Sequence, residues 1–202
     1  FDADHVGGVK ALSHLPVGEI WVSGFQDDRP LVDLTREVAE QKSLTLTRTF
    51  EGMIGSLGEI DWQILAPSAT AREAIDSNDA SLVVLIESEN YSILFLGDLG
   101  QSGQERLLRR HPRLLSQLAA KTLVTKVAHH GSADQSANLY RAIASEILIF
   151  SVGKNDYGHP TNSALGLAWP SGAKVLRTDL LGHIALSFTS ELRYRYSGKL
   201  TA

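Results

Sequence analysis

The sequence predicts a mixed α/β fold in which helices cover a sheet-rich core. Short β-branched and aromatic runs alternate with segments of helical periodicity, and two neighbouring strands lie at hairpin spacing. No internal repeat, low-complexity segment or linker divides the chain. At 202 residues, 43% of them hydrophobic, the chain can bury one substantial core. We therefore expect one domain over residues 1–202.

The first half of the chain predicts three strands and one helix. Residues 31–42 carry apolar side chains at Leu31, Leu34 and Val38, a spacing that turns one helical face inward. Composition and alternation predict strands at residues 19–23, 44–49 and 60–65. Residues 70–79 have the composition of a loop.

The second half predicts a hairpin followed by alternating helices and strands. The hairpin joins residues 82–87 to residues 91–96. A helical segment over residues 103–118 is interrupted at Pro112, and residues 178–184 are expected to form a structural turn between strands. Further strands are expected at residues 123–128, 147–152, 174–177 and 183–188, and further helices at residues 138–145 and 163–169.

Charge and composition argue against several classes of protein. A net charge of -4 and a pI near 6.0 argue against a globally basic nucleic-acid binder, although a metal site supplies positive charge of its own. The chain has no cysteine, which excludes disulfides and thiolate metal sites. No run of about 18 apolar residues predicts a membrane span. The start, without Met or a signal-peptide pattern, is what we expect of a piece cut from a larger protein.

Carboxylates and an imidazole occur at two points where loops begin. The string DADHVGG, residues 2–8, holds two carboxylates and His5 ahead of glycines that allow close backbone approach. The alternative is an acidic loop in which Asp4 caps a helix. Asp98 follows the apolar run ILFLG at the tip of a predicted buried strand, where a charge is costly unless a cation or donor meets it. A turn aspartate bonded to its own backbone is the alternative there.

Histidines follow two further predicted strands. In KVAHHGS, residues 126–132, adjacent histidines at a strand exit point to opposite sides, so at most one faces a given metal. The other is free to orient a ligand or to touch substrate, and a surface histidine pair is the alternative. His159, in a tight Gly/Pro loop, suits a substrate-facing donor or is a loop residue without a role. We interpret His183 as structural, and His14 and His111 as surface residues.

Oxygen and imidazole ligands without thiolates suit Zn²⁺, Mn²⁺ or Fe rather than a sulfur-bound structural zinc. A site built from several strand ends, with positions open to water, is typical of a catalytic metal. Such a metal lowers the pKa of bound water toward neutrality and polarises the bond being broken.

The ordered strings DADHVGG, LFLGDLG, KVAHHGS, SVGKNDYGHP and RTDLLGHI resemble the metallo-β-lactamase domain of the ComEC competence proteins, multi-pass membrane channels for bacterial DNA uptake. The resemblance runs from residue 1 to about residue 188 and implies an αββα sandwich, with the N-terminal strands of that fold missing from this sequence. It implies an extracytoplasmic domain of a bacterial inner-membrane protein. Its partners would be single-stranded DNA and the rest of the channel, with no small organic cofactor.

The resemblance also implies roles for individual residues. Asp4 and His5 would bind one Zn²⁺ or Mn²⁺, and Asp98 would bridge to a second ion. The expected metal ligands are Asp2, Asp4, His5, Asp98 and His130, with His129 left open as the alternative to His130. The expected catalytic or substrate-facing residues are Asp4, Asp98, Lys126, Ser132 and His159. Ala66-Pro67 stands where many relatives carry a further histidine, so both a one-metal and a two-metal site stay open.

Three functions fit these observations. The first is a metal-dependent phosphodiester hydrolase, a nuclease that degrades the DNA strand not transported during transformation. The second keeps the fold but acts on a small phosphodiester, as phosphorylcholine esterases do, and the acidic net charge suits it. The third is a non-catalytic DNA-guiding domain with a decayed metal site. Its phosphate contacts would come from a set of helix arginines that is otherwise an ordinary solvated face: Arg106, Arg109, Arg110 and Arg113.

Overall fold

The computed structural model describes residues 1–25, 29–69, 76–188 and 192–198. Its α-helices are α1 (Ala3–Val6), α2 (Pro30–Gln41), α3 (Gln101–Arg110), α4 (Pro112–Leu118), α5 (Ala137–Ile143), α6 (Asn162–Leu165) and α7 (Thr178–Leu181). Its strands are β1 (Glu19–Ser23), β2 (Thr45–Thr49), β3 (Ile54–Leu57), β4 (Ile60–Ala66), β5 (Val83–Glu87), β6 (Tyr91–Phe95), β7 (Thr122–Lys126), β8 (Ile147–Phe150), β9 (Lys174–Arg177), β10 (Ile184–Phe188) and β11 (Leu192–Tyr196). Short 3₁₀ segments occupy Val9–His14, Ala128–Gly131 and Gly166–Ser171.

A seven-stranded mixed sheet, in the order β3-β4-β5-β6-β7-β8-β9, forms the centre of the molecule. Strands β3 to β6 are antiparallel to one another, and β6 to β9 run parallel. The predicted hairpin is confirmed as β5–β6, closed by a hydrogen bond from the amide of Ser88 to the carbonyl of Tyr91. The parallel half places the ends of β6, β7 and β8 along one edge of the sheet, the position at which open α/β sheets commonly bind ligands.

Helices cover one face of this sheet. Alternation along β7 and β8 sends Leu123 and Leu148 to the helical side, where they join a fully buried apolar cluster. Leu107 of α3, Leu115 of α4 and Leu139 of α5 complete that cluster. Burial of these side chains, each worth about 1.5–3 kcal/mol, is the main stabilisation of this layer.

A second β layer covers the opposite face. The antiparallel pair β10–β11 packs its apolar side chains on Val124 and Ile147, and Phe188 stacks on Tyr91 with ring centroids 4.0 Å apart. The parallel pair β1–β2 approaches the same sheet through Trp21, whose ring lies 4.4 Å from that of Trp62. Helix α2 packs beside β2. The sheet therefore lies between helices and strands, a mixed α/β architecture as the sequence predicts.

Several elements differ from the sequence prediction. Residues 183–188 were expected to be the last strand, but β11 follows them, and β3 was not expected at all. The segment expected as a turn after residue 177 is the single-turn helix α7. His111, expected at the surface, joins α3 to α4 with its ring largely buried between Glu51 and the carbonyl of Leu65. Of the predicted loop over residues 70–79, residues 70–75 lie outside the described residues.

The longest helix in the described ranges is α2, with 12 residues. None of the described helices is both long and apolar enough to cross a bilayer.

Candidate metal centre

Three separate chain segments meet at the edge where β6, β7 and β8 end. Asp98 lies three residues after β6, and His130 lies in the 3₁₀ turn after β7. Helix α1 contributes Asp4 and His5 from the start of the chain. Parallel strands end at the same edge of a sheet, so residues distant in sequence are brought together there.

Four donor atoms from these segments lie within 4.8 Å of one another. The Nε2 atom of His5 is 2.9 Å from Oδ2 of Asp98 and 3.2 Å from Nε2 of His130. The Nε2 atom of His130 is 3.1 Å from Oδ2 of Asp4 and 3.4 Å from Oδ2 of Asp98. His5 Nε2 and Asp4 Oδ2 are 3.9 Å apart.

These separations fit a single cation. Ligand atoms at about 2.0–2.1 Å from a tetrahedral zinc stand roughly 3.3–3.4 Å from each other. Two imidazole nitrogens and two carboxylate oxygens are also the donor types that bind Zn²⁺ and Mn²⁺. The residues Asp4, His5, Asp98 and His130 can therefore hold a divalent metal ion.

Asp98 is the most buried of the four, and its surroundings favour the charged form. Burial alone raises the pKa of the carboxyl, but hydrogen bonds with His130 and His5 and the charge of Lys126 outweigh it. The pKa of Asp98 is therefore held far below its usual range, and the side chain is a carboxylate at neutral pH. The backbone amide of Asp98 donates to Oγ of Ser81 at 3.0 Å, which anchors the turn.

Lys126 lies beneath Asp98 rather than out in a groove. Its ammonium donates to the carbonyl of Gly97 at 2.8 Å and to Oδ1 of Asp98 at 3.4 Å. Burial lowers the pKa of Lys126, while the Asp98 carboxylate opposes that change. The amide of His129 donates to the same Gly97 carbonyl at 3.0 Å, so one acceptor connects both loops. Gly97 has a positive φ of 55°, and a Cβ there would meet Cβ of Ser81 at 2.8 Å.

The histidine pair adopts an uncommon backbone conformation. His129 and His130 have φ values of 47° and 52°, in a left-handed region that non-glycine residues seldom occupy. Consecutive residues of this kind cost about 1–3 kcal/mol each, and such strain is typical of functional sites. The turn directs His130 into the four-residue cluster, whereas His129 stays outside it. Among the described residues, the buried Nδ1 atom of His129 has no hydrogen-bond partner.

A buried polar network supports this turn from behind, and sequence reasoning missed it. The side-chain amide of Gln135 donates to the carbonyl of Ala128 at 2.9 Å, while its Oε1 accepts from Tyr140 at 2.8 Å and from Gln104 at 3.1 Å. The hydroxyl of Tyr140 accepts from the amide of Ala128 at 3.2 Å. Gln104 also donates to the carbonyl of Leu99 at 2.6 Å. A single buried glutamine leaves no periodic pattern in the sequence. The polar residues that follow the histidine pair were the one local sign of Gln135, and Gln104 had none.

Three other predicted site residues lie outside the cluster. Asp2 forms an ion pair with Arg29. Ser132 is buried, and its hydroxyl accepts from the amide of Asp134 at 3.3 Å. The ring of His159 lies 5.7 Å from that of His129, and burial, with the neighbouring histidines, lowers the pKa of His159. The expected roles of Ser132 and His159 beside a substrate phosphate, and of Asp2 as a metal ligand, stay predictions.

Two of the four helix arginines are occupied by acidic partners. Arg106 pairs with Asp79 at 2.9 Å, and Arg110 pairs with Glu51 at 2.8 Å. Side chains held by carboxylates are poorly placed to neutralise phosphates. Phosphate binding by Arg106 and Arg110 would therefore compete with these ion pairs.

Among the described residues, three grooves open beside the cluster. The smallest, of about 240 Å³, is lined by His5 and Asp98, and the two larger ones share lining residues. One, of about 500 Å³, runs along residues 151–155 and Thr178. The other, of about 610 Å³, runs along residues 2–4, 77–78 and His129. The residues that line both are Asp4, His130, Tyr157 and His159.

The chain is similar to part of two longer competence proteins. It is 27% identical over 203 residues to ComE operon protein 3 of Bacillus subtilis, covering 98% of this chain and 24% of that protein. It is 31% identical over 189 residues to competence protein ComA of Neisseria gonorrhoeae, covering 93% of this chain and 24% of that protein. The chain thus spans about a quarter of the length of the curated relatives it matches. No protein-family model matches it.

Proposed function

From this similarity to competence proteins, we propose that the chain is a divalent-metal-dependent phosphodiester hydrolase that cleaves DNA during uptake. We assign it to the metallo-β-lactamase-like fold, as an extracytoplasmic domain joined to a membrane channel. The observation that carries the proposal is the Asp98 carboxylate, 2.9 Å from His5 and 3.4 Å from His130, at the edge where parallel strands end. In this proposal the chain supplies the hydrolytic chemistry of a longer competence protein, through the cluster.

The reaction adds water to phosphorus and breaks one P–O ester bond, leaving a phosphomonoester on one product and a hydroxyl on the other. A divalent cation at the cluster supplies Lewis acidity, which makes water a stronger acid and polarises a phosphoryl oxygen. The side chain of Asp4 is exposed beside both larger grooves, and its second carboxylate oxygen, the one outside the four-donor set, accepts the proton of the attacking water. His159, whose pKa is lowered by burial, is neutral at pH 7 and donates a hydrogen bond toward the phosphate.

The two alternatives are weaker. A small phosphodiester would use a single enclosed pocket, whereas two open grooves that meet at the cluster suit a polymer. A DNA-guiding domain without chemistry would use the helix arginines, and two of the four, Arg106 and Arg110, are already in ion pairs. Activity on bis(p-nitrophenyl) phosphate without activity on oligonucleotides would favour the small-molecule alternative.

The test is cleavage of a labelled single-stranded oligonucleotide by the purified protein with Mn²⁺ or Zn²⁺, compared with the same protein in chelator. Losing a residue that hydrogen-bonds a metal ligand typically reduces activity by roughly 10–100-fold. Asp98→Asn, which changes a metal ligand itself, should reduce cleavage by more than that. Asp61→Asn, which changes an exposed carboxylate on β4, is the matched control and should retain activity. Cleavage that is independent of metal, or unchanged in Asp98→Asn, would refute the proposal.

A further inference from the structure

Tyr157 stands at the junction of the two larger grooves. It is one of the four residues that line both, and the other three belong to the cluster or adjoin it. We propose that Tyr157 is a stacking platform for a nucleobase beside the scissile phosphate, and that it makes the site selective for unpaired strands. This inference rests on the proposed function, because it names the substrate class of the same site.

The exposure of Tyr157 leaves its ring open for a ligand. The residue is 85% exposed, although it lines both larger grooves beside the cluster. A polymer that binds at the cluster and continues into either of these grooves lies beside this ring, because Tyr157 lines both. Aromatic rings that stack with bases in this way add affinity without reading sequence, since every base has a flat face.

The loop that carries Tyr157 is braced by a single side chain. Oδ1 of Asn155 accepts from the amides of Tyr157 at 3.1 Å and His159 at 3.0 Å. Its Nδ2 donates to the carbonyls of Gly153 at 2.9 Å and His159 at 2.8 Å. Four hydrogen bonds from one residue hold the loop in place, so little conformational entropy is lost when a base is bound.

A second ring and a cation complete the binding surface. The ring of His159 lies 6.0 Å from that of Tyr157 and is tilted by only 31°, so the two rings form one wall. Lys154 is exposed in the groove of about 500 Å³, where its ammonium can neutralise the next phosphate along the chain. The wall and the cation offer a base contact and a phosphate contact on the same side of the cluster.

Stacking at this position requires a base that is free on one face. In a duplex each base is covered by its neighbours and paired with the opposite strand, and exposing it costs a few kcal/mol. An unpaired strand avoids that cost. The inference therefore predicts tighter binding of single-stranded than of duplex DNA.

The experiment measures binding of a short single-stranded oligonucleotide to the Asp98→Asn background, in which cleavage is suppressed. Tyr157→Ala should weaken binding by about 5- to 150-fold, and Tyr157→Phe should keep it, because the ring is retained. Trp169→Ala is the matched control, because it removes an aromatic side chain that is 87% exposed and lines neither groove. In the same background, this variant should bind the oligonucleotide as tightly as the parent protein, Asp98→Asn alone.

An oligonucleotide with one abasic position, moved along the strand, makes the test specific. At the position that stacks on Tyr157, the abasic strand should bind the parent and Tyr157→Ala equally. Equal binding of the intact strand by both proteins, or the same loss for every abasic strand, would overturn the inference. Binding with the expected pattern but no hydrolysis by the wild type would support stacking and refute the proposed function. If the wild type cleaves the strand and Tyr157→Ala has an unchanged kcat/KM, the proposed function is supported and the stacking role of Tyr157 is refuted.

Discussion

The Nδ1 atom of His130 lies 2.6 Å from the carbonyl oxygen of Ser151, the first residue after β8. A carbonyl oxygen only accepts, so the imidazole proton is on Nδ1. When His130 is neutral, Nε2 therefore presents a lone pair to Asp4, His5 and Asp98. Metal-binding histidines are commonly oriented by such a bond from their other nitrogen.

This orientation predicts that His130 is a principal metal ligand. His130→Ala should lower the affinity for Zn²⁺ by more than about 100-fold. That exceeds the usual effect of losing a residue that only hydrogen-bonds a metal ligand. Titration against a chromophoric chelator measures that affinity directly. His14→Ala, which removes an exposed imidazole, should leave it unchanged. Equal affinities in the two variants would show that His130 does not bind the metal.

The sequence was most informative about elements with strong periodicity. Helix α2 and the β5–β6 hairpin were predicted within one or two residues, because their apolar spacing reflects burial on one face or two. Strand β3 was missed because Gly55 and Ser56 dilute its β signal, and its large side chains are exposed. Strand β11 alternates apolar and polar residues, so its sequence does indicate a strand, but none was predicted there.

The candidate site was accessible from sequence only in part. Strand ends and residue types drew attention to Asp4, His5, Asp98 and the histidine pair, because burial makes a lone carboxylate or imidazole costly there. The choice between His129 and His130 depends on the backbone turn, which no local pattern revealed. The role of Gln104 was equally hidden, because its partners lie about 30 residues along the chain.

Lys126 is expected to position Asp98 rather than to contact substrate. Lys126→Met keeps the apolar length of the side chain but removes the ammonium that reaches Gly97 and Asp98. Zn²⁺ affinity should fall by about 10–100-fold. Lys10→Met, at an exposed position, is the matched control.

The sequence analysis instead expected Lys126 to contact the substrate phosphate, and the same variant tests that role. If Lys126 contacted the substrate phosphate, Lys126→Met would leave Zn²⁺ affinity unchanged and raise KM for the oligonucleotide. The metal titration and the kinetic measurement on the same variant therefore separate positioning from substrate binding.

Gln135 is expected to stabilise the turn that carries the histidine pair. Gln135→Leu would leave the carbonyl of Ala128 and the hydroxyl of Tyr140 without this partner. Each buried polar group left unpaired costs about 1–3 kcal/mol, so the free energy of unfolding should fall by at least about 2 kcal/mol. Urea denaturation measures the change. Gln117→Leu, on the exposed side of α4, should shift it by less than about 0.5 kcal/mol.

Tyr140 is expected to make the protein sensitive to alkaline pH. Burial raises the pKa of its phenol, with a smaller opposing effect from the amide of Ala128. In the unfolded chain a tyrosine titrates near pH 10. Because the folded pKa is the higher one, the contribution of Tyr140 to stability is complete below about pH 10 and is lost as the pH rises from there toward the folded pKa.

Tyr140→Phe removes this titration. The variant should be less stable than wild type at pH 8 by about 1–2 kcal/mol, because the hydroxyl bonds Gln135 and Ala128. Above about pH 10, however, its unfolding free energy should decline less steeply, by up to about 1.4 kcal/mol per pH unit. Urea denaturation across this range gives both quantities. Tyr196→Phe, at an exposed position, should follow the wild-type slope. Parallel slopes for wild type and Tyr140→Phe would mean that the phenol ionises as readily in the folded protein as in the unfolded chain, contrary to its burial against the histidine turn.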